Sequence, residues 1–232
     1  MANILESLLE LVYPTQCALC GWSGQLICPT CFGSLSFIES DICLQCGKPS
    51  YRQVEQCREC RGKQFIFSQS RSLGLYQGNL KELIHKLKYG NCRGLAKIFA
   101  RLLIEHIESD FFLVDLVTSV PLSKEKQSER GFNQAQLLAE HIARKLNQPF
   151  VEILYQHKKT EDQSRLQADE RRKNVRGAFG AKQDLLPREM DVLLVDDVFT
   201  TGSTANECSK ALRKAGAGSI RVATIARSTY LI

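Results

Sequence analysis

The chain has 232 residues, of which 44% are apolar or aromatic, enough for one good-sized hydrophobic core and a small accessory module. More than two folding units are therefore excluded. The net charge is only +6, but it is unevenly spread, since residues 71–101 hold seven Lys or Arg and a single acid, Glu82. This basic stretch is either a solvated helix face or a surface for phosphate groups.

The first residues predict a short helix that packs on the rest of the chain, because apolar side chains recur there at helical spacing. These side chains are Ile4, Leu5, Leu8, Leu9 and Val12. The same segment has two glutamates, no cationic leader and no long apolar run, so it indicates neither a signal peptide nor a membrane span. We therefore expect a cytoplasmic protein.

Cysteines divide the chain into an N-terminal module and a larger domain. Eight of the ten fall in four Cys-x-x-Cys pairs, which are Cys17/Cys20, Cys28/Cys31, Cys43/Cys46 and Cys57/Cys60. Two such pairs supply the four thiolates of a closed tetrahedral site, so the eight cysteines predict two structural Zn²⁺ ions. Gly21 and Gly47 each follow the second cysteine of a pair, where a left-handed backbone lets N–H groups point at a thiolate.

Other uses of the same cysteines are less favoured. Disulfides suit a secreted protein, which the beginning of the chain does not indicate. A thioredoxin-type redox pair occurs once in a βαβ unit rather than four times in succession. An iron–sulfur or mononuclear iron site uses the same thiolates, so iron is an alternative to zinc that the spacing does not exclude. Sequential pairing, in which the first and second pairs share one metal and the third and fourth share the other, is favoured over the alternate pairing of a cross-brace. The loops closed by sequential pairing are shorter and cost less closure entropy.

After Cys60 the sequence alternates between the patterns of buried strands and amphipathic helices. Strands are predicted in SRSLGLYQG, FFLVDLVTSVP, MDVLLVDD and IRVATIARS, and helices in NLKELIHKLKYG, LAKIFARLLIEHI, NQAQLLAEHIARKL and TANECSKALRKAGAG. This alternation predicts an α/β domain with a mostly parallel sheet, whose ligands should lie at the carboxyl ends of the strands. We place the N-terminal helix and cysteine module at 1–64 and the α/β domain at 65–232.

The helix predicted in NLKELIHKLKYG has two distinct faces. Its apolar face, which we expect in the core, consists of Leu80, Leu83, Ile84 and Leu87. Lys81, His85 and Lys88 share another face at helical spacing. This polar face stands in the middle of the basic stretch.

The stretch VLLVDDVFTTGST, residues 192–204, leads from a buried strand through two acids into a loop that opens the next helix. Unpaired N–H groups and the dipole at a helix N-terminus favour an anion, and Gly202 lets the backbone approach it closely. The hydroxyl donors of the loop are Thr200, Thr201, Ser203 and Thr204. The adjacent carboxylates of Asp196 and Asp197 are good acceptors for the vicinal hydroxyls of a ribose, so the stretch suits a ribose with a 5′-phosphate.

VLLVDDVFTTGST also resembles the phosphoribosyl pyrophosphate motif of type I phosphoribosyltransferases, in which the acids bind the ribose hydroxyls and the loop binds the 5′-phosphate. With the four Cys-x-x-Cys pairs, the segments VPLSKEKQSERGFNQA and TEDQSRLQADERRKNVRGAF occur in the same order in the ComF/GntX family. This resemblance covers nearly the whole chain. It implies a double zinc ribbon attached to a type I phosphoribosyltransferase-like domain, and an association with bacterial competence, the uptake and processing of transforming DNA.

The resemblance extends the expected site to two further segments. VPLSKEK stands where these transferases have a loop that binds pyrophosphate, which implicates Val120, Pro121, Leu122, Ser123, Lys124 and Arg130, with charge from Lys126 as well. TEDQSRLQADERRKNVRGAF stands where they have a mobile hood loop, and its residues that match the family pattern are Thr160, Gln163, Arg171 and Asn174. The polar composition of this segment suits ordering on ligand binding.

Two compatible hypotheses follow. In one, the chain binds phosphoribosyl pyrophosphate with Mg²⁺ and transfers the sugar to an unidentified base or amine of small-molecule metabolism. In the other, the ligand site serves a DNA-processing factor of competence, in which the zinc ribbons and Lys81, Lys88 and Arg93 hold single-stranded DNA and competence proteins are partners. The sequence leaves the acceptor, the oligomeric state and the retention of transferase activity open.

Overall fold

The computed structural model describes residues 14–39, 41–158 and 174–228. The helix expected around Leu5 to Val12 lies outside the described residues, and so do Thr160, Gln163 and Arg171 of the expected hood loop. None of the described helices is long and apolar enough to cross a membrane.

Each strand and helix predicted for the α/β domain has a counterpart among the described residues of that domain, which also contain two short strands and one short α-helix that no sequence pattern predicted. The strands are β1 Gln69–Leu75, β2 Leu116–Ser119, β3 Leu154–Gln156, β4 Phe179–Ala181, β5 Val192–Phe199 and β6 Ile220–Arg227. The helices are α1 Pro29–Phe32 in the cysteine module, then α2 Gly78–Tyr89, α3 Gly94–His106, α4 Lys124–Arg130, α5 Gln134–Leu146 and α6 Ser203–Ala215. Short 3₁₀ helices occupy Ser109–Phe112 and Gln183–Leu185.

Four of the strands form a parallel sheet in the order β1-β6-β5-β2, and β3 and β4 form a separate antiparallel pair. The prediction of a mostly parallel sheet is therefore confirmed. Because the strands run the same way, the ends of β1, β2, β5 and β6 meet at one edge. At this edge, Phe199 of β5 is paired with Arg227 of β6, and Arg227 is paired with Leu75 of β1.

The sheet separates two hydrophobic cores. Successive side chains of a strand point to opposite faces, so Leu193 of β5 joins the core beneath α2, α3 and α5, whereas Leu194 joins the core beneath α6. The apolar face predicted for α2 is confirmed, since its four members are fully buried, namely Leu80, Leu83, Ile84 and Leu87. The other face of α2 is left for the edge of the sheet.

The stretch FFLVDLVTSVP is only partly the strand that its apolar run predicts. Strand β2 begins at Leu116, and the residues before it include the 3₁₀ helix Ser109–Phe112. The rings of Phe111 and Phe112 meet edge to face, with centroids 5.3 Å apart and an interplanar angle of 88°. Neighbouring side chains of a strand point to opposite faces, so an extended backbone would separate these rings.

Both halves of the cysteine module attach to the edge strand β1. After the first four cysteines, Ile38 N donates to Leu73 O at 3.0 Å and Leu75 N donates to Ser36 O at 2.9 Å. Between the next cysteines, the carbonyl of Gln45 accepts from Ser70 N at 3.0 Å. The free edge of β1 is thereby paired, which removes a template for association with other strands.

Candidate functional site

A cavity of about 480 Å³ lies at the carboxyl edge of the parallel sheet, where the sequence predicts ligand binding. It brings together predicted site residues from three separate segments of the chain. These are Lys81 and Lys88, then Val120, Pro121, Leu122, Ser123, Lys126 and Arg130, then Asp196, Asp197, Thr200 and Thr204. The cavity therefore joins the basic face of α2 to both the expected pyrophosphate loop and the phosphoribosyl motif.

The two acids of the motif have different environments at the end of β5. Asp197 is buried, and its Oδ2 accepts from Gln134 Nε2 at 2.6 Å and pairs with Lys88 Nζ at 2.9 Å. Burial works against the ionised form, but the ammonium of Lys88 outweighs it and lowers the pKa of Asp197 below its usual value. Burial and then the charge of Asp197 raise the pKa of Asp196 to about 7. Of the pair, Asp196 is left without a cationic partner at ion-pair distance within the described residues.

Lys88 belongs to this cavity more than to an outer surface. Its side chain is only 17% exposed and its ammonium contacts Asp197. Burial works against its charge, but the carboxylate of Asp197 outweighs burial and raises the pKa of Lys88 above its usual value. Helical spacing correctly placed Lys81, His85 and Lys88 on one face, and that face lines the cavity.

The loop after β5 has the geometry of an anion cradle. Gly202 adopts φ 77°, and a Cβ at this position would stand 2.7 Å from the ring of Phe199, so the loop requires glycine there. Thr201 Oγ1 accepts from Ser203 N at 3.3 Å and lies 2.8 Å from Ser203 Oγ. Helix α6 starts at Ser203, so the N–H groups of its first turn open toward the same loop.

The segment expected to bind pyrophosphate is a short loop followed by a helix. Residues 120–123 line the cavity, but α4 begins at Lys124, and the Ser123 hydroxyl caps it by accepting from Lys126 N at 3.3 Å. Lys124 is exposed, whereas Lys126 and Arg130 line the cavity. Two of the predicted cations therefore reach the cavity wall.

Arg130 is held by Gln134 and Tyr89, neither of which has a role predicted from the sequence. Its Nη1 donates to Gln134 Oε1 at 3.0 Å, and its Nη2 donates to the Tyr89 hydroxyl at 2.8 Å. The guanidinium also lies 4.7 Å from the centre of the Tyr89 ring. Since Gln134 also binds Asp197, a continuous chain of contacts joins Arg130 to the acids. The segment VPLSKEKQSERGFNQA contained a signal for Gln134, but nothing in the sequence singled out Tyr89.

The remaining candidates lie apart from this network. Arg93 is exposed and its guanidinium stacks 4.6 Å from the centre of the Phe132 ring. Lys81 is also exposed, with its ammonium 5.8 Å from the centre of the Tyr76 ring, and it lines the cavity without a place in this chain of contacts. Asn174 is the first residue of the expected hood loop that the structure describes, after the gap at 159–173.

The eight paired cysteines form two four-sulfur clusters in sequential order. One consists of Cys17, Cys20, Cys28 and Cys31 and the other of Cys43, Cys46, Cys57 and Cys60, with all sulfurs of a cluster within 4.8 Å of one another. Representative S···S distances are 3.6 Å for Cys20–Cys28, 3.8 Å for Cys46–Cys57 and 3.9 Å for Cys43–Cys60. A tetrahedron with Zn–S bonds of about 2.3 Å has edges of about 3.8 Å, so the clusters fit zinc. The distances are far too long for disulfides, and every cysteine is free.

Backbone N–H groups donate hydrogen bonds to the cysteine sulfurs and so favour the thiolate form that binds metal. Cys28 N donates to Cys17 Sγ at 3.4 Å, and Cys57 N donates to Cys43 Sγ at 3.2 Å. Burial opposes ionisation of Cys17, but the backbone N–H groups around it outweigh burial and lower its pKa to about 6. Gly21 and Gly47 adopt φ 78° and 67°, as their places after the cysteine pairs predict.

Comparisons with known proteins agree with this arrangement. The double zinc ribbon domain matches residues 8–61, which favours zinc over iron, and the phosphoribosyl transferase domain matches residues 133–229. The chain is therefore a protein of the type I phosphoribosyltransferase fold that carries an N-terminal double zinc ribbon.

Relatives with curated names narrow the assignment. The chain is 34% identical over 208 residues to Competence protein F of Haemophilus influenzae, covering 85% of this chain and 90% of that protein. It is 31% identical over 228 residues to DNA utilization protein YhgH of Escherichia coli O157:H7, covering 94% and 99%. It is 31% identical over 218 residues to Competence protein ComFC of Bacillus subtilis, covering 87% and 84%. The chain belongs to the ComF family.

Proposed function

We propose that the cavity binds phosphoribosyl pyrophosphate together with Mg²⁺. The observation that carries the proposal is the meeting, in one cavity, of the acids at the end of β5 with the glycine loop that opens α6. Asp196 accepts hydrogen bonds from the ribose hydroxyls, and residues 200–204 hold the 5′-phosphate through backbone N–H groups and hydroxyls. Lys126 and Arg130 face the pyrophosphate from the neighbouring wall.

The ion pair between Lys88 and Asp197 has a structural role in this site. Lys88 keeps Asp197 ionised and fixed, and Gln134 holds the same oxygen from the other side. Mg²⁺ bound together with the ligand would supply positive charge that favours departure of pyrophosphate from the anomeric carbon. The protein's own contribution is to orient the sugar and to stabilise developing charge with preorganised groups.

Calorimetric titration with phosphoribosyl pyrophosphate and Mg²⁺ tests this proposal. Asp196→Asn removes a charge-assisted acceptor, and about 1.5–3 kcal/mol of lost interaction weakens binding about 10- to 150-fold. Asp191→Asn is the matched control, because Asp191 lies at the opposite end of the same strand and its Oδ1 accepts from Ser219 N at 2.8 Å, a role that an amide oxygen can keep.

Asp197 is a poorer choice for this test, because its removal also leaves the ammonium of Lys88 without its partner. Binding by the wild-type chain, with loss in Asp196→Asn and none in Asp191→Asn, supports the proposal. Absence of any heat of binding with the wild type refutes it.

We further propose that the site serves DNA uptake or processing, as the names of the competence and DNA utilization relatives suggest. Lys81 and Arg93 are exposed cations packed against aromatic rings, a combination that suits the phosphates and bases of single-stranded DNA. Lys88 would have to leave Asp197 to make such a contact. Fluorescence anisotropy with a labelled single-stranded oligonucleotide, repeated at several salt concentrations, tests this function.

The alternative is transfer of the phosphoribosyl group to a base or amine of small-molecule metabolism. It is favoured by an apolar and an amide side chain that also line the cavity, those of Phe179 and Gln156, since a base or amine acceptor needs such contacts beside the sugar. Release of pyrophosphate that depends on an added base or amine supports transfer. Tight binding of phosphoribosyl pyrophosphate with no release, in a panel of bases and amines, supports a regulatory ligand for the DNA function instead.

A further inference from the structure

The second zinc ribbon contains Cys43, Cys46, Cys57 and Cys60. The chain that leaves it, residues 61–67, packs against residues 200–204, the phosphate loop of the proposed site. The rings of Phe65 and Phe67 stack with centroids 4.7 Å apart, and Phe67 meets Phe199 edge to face at 6.0 Å. Phe199 is the last residue of β5, immediately before the loop. The loop's Gly202 fits against the same rings, since a Cβ there would stand 3.1 Å from Phe65. The back of the cradle is therefore built partly by the chain that leaves the second ribbon.

A buried arginine makes a second link between the ribbon and the loop. Arg227, at the end of β6, is only 2% exposed, and its guanidinium lies 5.0 Å from the centre of the Phe199 ring. Its Nη1 donates to the carbonyl of the zinc-ligand residue Cys46, and its Nη2 lies 3.6 Å from Glu59 Oε2. A charge this deeply buried needs these partners, both of which the ribbon supplies.

The first turn of α6 makes a third link. The Asn206 side chain accepts from Ile66 N at 2.7 Å through Oδ1 and donates to Gln64 O at 3.4 Å through Nδ2. This helix turn supplies the N–H groups that open toward the cradle. The chain that leaves the second zinc cluster is thereby fixed to the loop on both sides, through Phe199 and through Asn206.

The first ribbon attaches elsewhere. Its apolar residues join the core beneath α2, α3 and α5, and they are Ala18, Ile27 and Leu35. Leu26 packs against Gly94 at the start of α3. The hydrogen bonds that follow this ribbon go to β1, on the far side of β6 from the acids. The two cysteine clusters are chemically alike, but the first ribbon packs against the helices and β1, whereas the chain that leaves the second packs against the phosphate loop.

We propose that the second four-cysteine site positions the phosphate loop, so that zinc at this site and the anion-binding geometry of residues 199–206 are coupled, whereas the first site is not part of this coupling. Arg227 and Asn206 are the positioning residues that transmit it. The consequence for ligand binding rests on the proposed function, but the coupling itself concerns the loop with or without a ligand. Coupling is reciprocal, so changes in the loop also alter how firmly the second site holds zinc.

Hydrogen exchange of the loop, compared between two matched ligand variants, tests the coupling without any ligand. Cys57→Ser removes one thiolate from the second cluster and Cys20→Ser removes one from the first. Elemental analysis establishes how much zinc each variant keeps. We expect amides of residues 199–206 to exchange faster in Cys57→Ser and at the wild-type rate in Cys20→Ser. Equal exchange of these amides in the two variants overturns the proposal.

Asn206→Ala keeps all eight cysteines and so covers the case in which Cys57→Ser does not fold. Loss of the hydrogen bond to Ile66 should speed both the exchange of the loop amides and the release of zinc to a chelator. We expect a change of roughly fivefold, which corresponds to the net contribution of one hydrogen bond. Arg71→Lys is the control, since Arg71 binds the carbonyl of Leu44 in the same ribbon at 2.8 Å but lies on β1, away from the loop. Unchanged zinc release in Asn206→Ala, or exchange of the loop amides that is as fast in Arg71→Lys as in Asn206→Ala, contradicts the coupling.

Titration of the same variants with phosphoribosyl pyrophosphate and Mg²⁺ separates the two proposals. Weaker binding in Asn206→Ala than in Arg71→Lys supports both. If the wild type does not bind this ligand at all, the proposed function fails, while the exchange and zinc-release results still decide the coupling.

Discussion

Removing Lys88 should destabilise the protein far more than removing another lysine of the same helix. Lys88→Met keeps a long apolar stem but takes the ammonium from its 2.9 Å contact with Asp197, whose side chain is only 9% exposed. The control is Lys86→Met on the same helix. Lys86 Nζ lies 3.9 Å from Glu82 Oε1, and the two side chains are 41% and 52% exposed.

Burial sets the expected magnitudes. A buried carboxylate that loses its cation costs about 3–5 kcal/mol, and the residual exposure of Lys88 favours the lower end, about 3 kcal/mol. The exposed pair of Lys86 is worth at most about 0.5 kcal/mol. Since 1 kcal/mol moves Tm by about 2–4 °C in a chain of this length, Lys88→Met should lower Tm by about 6–12 °C and Lys86→Met by at most about 2 °C.

Thermal unfolding at pH 7, followed by circular dichroism, measures both variants. The double variant Lys88→Met/Asp197→Asn should recover part of the loss, because it leaves no uncompensated charge in the cavity. If Lys88→Met lowers Tm no more than Lys86→Met does, the ion pair is not a fixed part of the site. The assignment of Lys88 to the cavity would then be wrong.

Three further outcomes are expected. Cys43→Ser should leave one zinc instead of two by elemental analysis and unfold the second ribbon, because metal binding supplies its folding energy; two zinc ions in this variant would contradict the ligand assignment. The pKa of Asp196 is raised from 3.8 to about 7, so the folded state holds this proton more tightly than the unfolded state, and the carboxyl lowers stability as pH rises from 4 to 7. Asp196→Asn should therefore raise Tm at pH 8 but not at pH 4. An equal shift of Tm at both pH values would contradict the raised pKa. If Lys81 and Arg93 bind phosphates of single-stranded DNA, replacing both by Ala should reduce the log–log salt slope by about 1.4, whereas an unchanged slope makes them a solvated surface.

The zinc module shows how much short-range sequence can determine. Each site is closed by cysteine pairs that are neighbours in the chain, and short loops favour this pairing over a cross-brace, so spacing alone predicted which pairs share a metal. The left-handed glycines Gly21 and Gly47 were predictable for the same reason, since the turn after each pair is a local requirement. Which part of the domain each ribbon supports depends on contacts such as Arg227 with Cys46, far apart in the chain.

The phosphoribosyl motif was equally visible, because its strand, acids, loop and helix are consecutive residues whose local geometry makes the cradle. The 3₁₀ helix Ser109–Phe112 could not be predicted, because its apolar run is equally typical of a buried strand. The edge-to-face packing of the rings of Phe111 and Phe112 distinguishes the two in the structure.

Helical periodicity alone determined that Lys81, His85 and Lys88 share a face of α2, but only the tertiary structure decided what that face meets. The interpretation of Lys88 as a DNA contact rested on its sign and its neighbours in sequence. Its partner, Asp197, stands on a strand that comes much later in the chain, and the two meet because α2 packs with its polar face on the cavity at the end of that strand. Local propensity acts between residues a few positions apart, whereas charge pairing and burial act across space, so the sequence by itself determined the elements and the fold brought Lys88 and Asp197 together.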